Sequence, residues 1–124
     1  MDAAPPTPPA TSPTTALIDR LLAEATALGE EAREQFETAG ADAGLRSLHA
    51  QREFGIVATC LGYSVAWLLD QKAVAAGEIG AAARPELAAT LASRPPAPDR
   101  VPAGVVAIGQ RVRAFAHRIE RLAA

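Results

Sequence analysis

The sequence predicts an all-α protein: a three-helix bundle with a short extra helix in its second connector and a disordered Pro/Thr-rich N-terminal tail. Three observations predict it. Two segments repeat apolar residues at spacings of three and four, the period of one helix face. Between them lie sixteen uncharged residues, Phe54 to Leu69 (FGIVATCLGYSVAWLL), bounded by Glu53 and Asp70. With only three Phe, one Trp and one Tyr, the core must be built from Leu, Val, Ile and Ala, and alanine favours close-packed helices.

The elements follow in order. Residues 1–15 (MDAAPPTPPATSPTT) hold five prolines and no apolar period, so they lack the side chains to offset their ordering entropy. The remaining residues, 16–124, form one helical domain. Thr14 or Thr15 can cap the first helix, with Asp19 expected in its first turn. Ile18, Leu21, Leu22, Ala25, Leu28, Ala32 and Phe36 form its stripe, and Glu24, Glu30, Glu31, Glu34 and Glu37 make the other face acidic. Gly40 to Gly44 (GADAG) reads as a turn.

The second helix is expected from about Leu45 to Ala76. Its middle is apolar all round, as for a helix contacted on several sides, and Gly77 suits the left-handed residue that ends it. Gly55 and Gly62 each cost about 1 kcal/mol in helix propensity. Close approach by another helix, from the same chain or a second one, is the expected compensation. A membrane span needs about 20 apolar residues, and this run is shorter and interrupted by Gly55, Thr59, Gly62, Tyr63 and Ser64, so it reads as the buried spine of a bundle.

Pro85 can open a short helix (PELAATLA), which Arg94–Arg100 (RPPAPDR) breaks. Pro102 opens the last helix. Its set Val105, Ile108, Val112, Phe115, Ile119 and Leu122 steps three-four-three-four-three, a bundle seam. Arg111, Arg113, Arg118 and Arg121 are assigned to its exposed side, as candidates for partner binding and for attraction to the acidic first helix.

Chemistry is sparse. Twelve basic and fourteen acidic residues give a net charge of -2, so no electrostatic case exists for nucleic acid or anionic membranes. One cysteine, Cys60, excludes an internal disulfide, suits a reducing cytosol, and reads as core filler. No secretory signal is expected, since no Lys or Arg precedes Arg20 and no apolar segment follows. His49 and His117 stand on different helices without metal-ligand spacing, and neither GADAG nor GEIG matches a phosphate-cradling loop. No catalytic residue, metal or cofactor is therefore expected.

One stretch goes further. Glu53, Thr59, Leu61, Ala66-Trp67-Leu68-Leu69, Gln71 and Ala73-Val74-Ala75-Ala76-Gly77-Glu78-Ile79 resemble the pattern ESLRLTTRLMQVxAWLLxQRAVxAGEI of the alphaproteobacterial RcdA family, the regulators of CtrA degradation. LIDRLLAEATALGEEAREQF and VPAGVVAIGQRVRAFAHRIERLA are similar to that family's first and last helices, so the resemblance covers residues 16–123. It implies a cytoplasmic, non-enzymatic, homodimeric three-helix bundle. It also implies an adaptor that helps present substrates such as CtrA to the ClpXP protease in cell-cycle control. Two departures stand out: Phe54-Gly55-Ile56-Val57-Ala58-Thr59-Cys60 replaces the stretch holding both family arginines, and the sequence stops at Ala124, without the C-terminal extension of longer members. The alternatives are a small metal- or cofactor-dependent bundle enzyme, or a membrane-associated amphipathic protein.

Overall fold

The computed structural model describes residues 14–39 and 45–124, with the side chains of 45–47 left aside; the chain is all-α. Helix α1 spans Thr15–Ala39, α2 Leu45–Ala75, α3 Ala88–Leu91 and α4 Ala103–Ala123. The three long helices pack pairwise into one bundle, and α3 lies against α2 and α4. Of the expected tail, residues 1–13 lie outside the described residues, as does the expected turn at 40–44.

Thr14 caps α1: its Oγ1 accepts from the Leu17 backbone N–H at 3.2 Å. Asp19 lies beyond the first turn, which carries no acidic residue. It pairs instead with Lys72 of α2 at 2.8 Å. Helix α2 ends as its glycine suggests. Gly77 has φ +74°, its N–H donates to the Val74 carbonyl at 3.0 Å, and Glu78 N–H reaches Ala73 at 2.9 Å. That pair of bonds is the Schellman arrangement, which satisfies carbonyls the helix would otherwise leave open. The short helix is a single turn starting beyond Pro85, and its flanking Leu87 is fully buried.

The stripes of α1 and α4 meet in the core. Ile18, Leu21, Ala25, Leu28 and Ala32 face Ile108, Val112, Phe115 and Ile119 in one buried cluster. Helix α2 enters it through Val57, Cys60, Trp67 and Leu68. A smaller cluster of Ala39, Ala50, Val101 and Val105 closes one end. The expected attraction between acidic α1 and basic α4 is present: Arg118 grips Glu24 at 2.7 and 2.9 Å, and Arg111 reaches Glu31 at 2.6 Å. Both pairs are solvent-exposed, where such contacts contribute at most about 1 kcal/mol each.

Arg113 departs from the expected exposed side. It turns inward and forks onto Glu53 of α2, at 2.5 and 2.6 Å, with the Glu53 side chain 1% and the Arg113 side chain 11% exposed. The geometry that admits this pair comes from Gly109: a methyl group there would collide with Glu53 Oε2. Among the described residues two buried side-chain polar atoms stay unpartnered, Arg113 Nε and the Ser64 hydroxyl.

Substituting Gly109→Ala gains about 1 kcal/mol of helix propensity. It also evicts a buried carboxylate from its guanidinium, and breaking a buried pair costs about 3–5 kcal/mol. Urea unfolding should therefore show a net loss of about 2–4 kcal/mol. Unchanged or increased stability would contradict this account of the core.

A candidate interaction face and a charged cleft

Helix α2 carries two registers. Ala50, Glu53, Val57, Cys60, Ser64 and Trp67 step three-four-three-four-three and are all buried. On the opposite side, Gly55, Thr59, Gly62, Ala66, Leu69 and Ala73 step four-three-four-three-four, and none of them is buried. The run expected to be contacted all round is thus packed on one side only. Leu48 and Leu69 are exposed on this side, Leu69 at 52%, and Tyr63 and Phe54 are exposed on its two opposite flanks. Phe54 is partly engaged, edge-on to Phe36 of α1 with centroids 5.2 Å apart.

Among the described residues, Gly55 and Gly62 do not meet another helix. A Cβ built at either position would find no atom within 4 Å. Within the described residues the tight glycine contacts lie on α4 and are with side chains, Gly104 against Gln35 and Gly109 against Glu53. The outer face offers few polar demands of its own. Thr59 turns its hydroxyl back onto the Gly55 carbonyl at 2.8 Å, so what it presents outward is mostly hydrocarbon. The segment Leu48–Ala75, 28 residues with a mean hydropathy of 1.2 in its most apolar window, is long and apolar enough to cross a membrane, and a third of that window is buried in the bundle.

The residues singled out in the sequence therefore divide by register. Glu53, Trp67 and Leu68 are core, and Leu61 is half-buried. Thr59, Ala66 and Leu69 belong to the open face, while Gly77 and Glu78 form the cap. Of the four arginines proposed for partners, Arg111, Arg113 and Arg118 hold carboxylates of their own chain. Arg121 is exposed and makes no ion pair among the described residues.

A second feature went unnoticed in the sequence. A cleft of about 410 Å³ opens between the start of α2 and the proline-rich connector, lined by His49, Arg52, Ile56, Arg94, Pro95 and Arg100 among others. Glu53 forms part of its floor. The sequence signal was the pairing of Arg94 and Arg100 around three prolines, which reads as a helix breaker and nothing more.

Among the described residues no three His, Cys, Asp or Glu side chains come close enough to share a metal ion. Cys60 is fully buried, and burial pushes its thiol above its usual range despite the Arg113 guanidinium nearby. Glu24 is held below the usual carboxylate range chiefly by its hydrogen bonds from Arg118.

A model of the family described as protein of unknown function (DUF1465) matches residues 10–124. Neither a curated protein nor a solved structure matches the chain.

A thiol that is buried and kept protonated is a poor nucleophile. Cys60 should resist Ellman's reagent in the folded protein and react fully once the chain is denatured. Rapid labelling of native protein would restore it as a nucleophile candidate.

Proposed function

The chain belongs to the DUF1465 family, and we propose that it is a non-enzymatic helical adaptor that pairs with a second copy through the outer face of α2. The open four-three-four-three-four register carries this reading. A seam of glycine, alanine and threonine with one leucine lets two backbones come close, and helix pairs gain van der Waals contact from such approach. Glycines that meet nothing within their own chain find their compensation there.

The adaptor role rests on the resemblance to the regulators of CtrA degradation, which points to substrate delivery to ClpXP in the cytoplasm. Two features of the chain support an interaction role. Four ion pairs between helices, Asp19–Lys72, Glu24–Arg118, Glu31–Arg111 and Glu53–Arg113, hold the bundle together, and its open surfaces are a seam of small residues and a cleft. A second reading attaches the same α2 face to a membrane surface, and the length and hydropathy of Leu48–Ala75 favour it.

Wild-type protein should sediment as a dimer. Gly62→Leu should overpack the paired seams by about 1–3 kcal/mol and shift the chain toward monomer, with an unchanged helical spectrum because none of the described residues occupies that space. A monomeric wild type, or a variant that sediments like it, sinks the dimer. Liposome co-sedimentation separates the second reading: the chain should stay in the supernatant, and pelleting with vesicles would favour the membrane.

A pull-down with ClpX and its accessory factors should recover a specific complex. No enrichment over an unrelated helical bundle would count against the adaptor role.

A further inference from the structure

We propose that the cleft between the start of α2 and the 94–100 connector is a binding site for an acidic peptide segment that carries an apolar side chain. Charge is the first argument. Arg52, Arg94 and Arg100 all line the cleft, and among the described residues none of them makes an ion pair. The one carboxylate in the wall, Glu53, already has both oxygens held by Arg113. It therefore neutralises little of the charge in front of it. Three exposed arginines line one concavity and make no ion pair among the described residues, and guanidinium forks suit carboxylates.

Shape and rigidity are the second argument. The opposite wall is Pro95, Pro96 and Ala97 against Ile56, so the cations flank an apolar surface. Proline fixes its own backbone, and a turn bond from Arg100 N–H to the Ala97 carbonyl, 2.9 Å, closes the connector. The wall is thus set before any ligand arrives, which lowers the entropy lost on binding. At about 410 Å³ the cleft falls within the size range of ligand pockets. A lone phosphate would leave the apolar wall unused; an acidic chain with an apolar side chain uses both the cations and the wall.

This site does not rest on the adaptor reading: its test uses purified chain alone, with no protease present, so either can fail without the other. The probe is a fluorescein-labelled peptide of alternating Asp and Leu, read by anisotropy against the full chain. Wild type should bind it, more weakly as salt rises, and should ignore the same peptide with Lys in place of Asp. Arg94→Ala with Arg100→Ala should weaken binding at least tenfold, with an unchanged helical spectrum because both side chains are exposed. Arg94→Glu with Arg100→Glu should reverse the preference toward the Lys peptide. Equal binding by wild type and the alanine pair overturns the site. So does competition by inorganic phosphate at the strength of the peptide, or indifference to replacing Leu with Ser.

Discussion

The Glu53–Arg113 pair is the constraint on which the rest of the bundle depends. It places a carboxylate and a guanidinium between α2 and α4, in a core that is otherwise aliphatic, small or aromatic. A buried ion pair is weak evidence of stability, because desolvation offsets much of its attraction. Its effect is on position. A fork with two parallel bonds tolerates little sliding, so α4 has one axial register against α2, and Gly109 has to sit opposite the carboxylate for that register to close. The pair also determines what the cleft can do. If Glu53 were unpaired, its charge would oppose the arginines in front of it. With Arg113 behind, the cleft keeps their positive field.

Burial around the pair explains its remaining imperfections. Hydrogen bonding to Glu53 raises the affinity of Arg113 for its proton, against the desolvation that lowers it, so the guanidinium stays charged. The guanidinium nevertheless leaves Nε without a partner, and Ser64 contributes a second unpartnered oxygen. Small buried side chains recur along both helices, Ala50, Cys60 and Ser64 on α2 and Gly109 and Ala116 on α4.

Much of the fold was legible because α1 and α4 are amphipathic. A charged face fixes the phase of an apolar stripe, and those stripes are the ones buried, apart from half-buried Leu22, Phe36 and Leu122. Helix α2 hides its phase, since both of its faces are apolar and periodicity cannot say which is inside. Hence Gly55 and Gly62 were assigned a close contact that lies on the open side. Arg113 was missed for a related reason, namely that charge was read as exposure. The signal was present in Glu53, which occupies the inner register with Ala50, Val57 and Cys60 and so requires a cation from a facing helix. The cleft was illegible for another reason. Its residues come from positions 49–56 and 94–100, and only the packed chain brings them together.

The composition of the open face narrows what covers it. A bilayer rewards each buried methylene by about 0.8 kcal/mol, so a face made for lipid gains from Leu, Ile and Phe and gains nothing from glycine. This face centres on Gly55, Gly62 and Ala66, with larger side chains at Leu48, Tyr63 and Leu69 around them. Two helical glycines together forfeit about 2 kcal/mol, a sizeable fraction of the 5–15 kcal/mol that holds a domain folded. Among the described residues nothing offsets that loss, since none of their atoms approaches either position. A backbone brought close by a second helix does offset it, through contact that no larger residue would permit. A protein surface with its own regular backbone therefore suits the seam better than hydrocarbon does, and a second copy of α2 is the partner with the matching spacing.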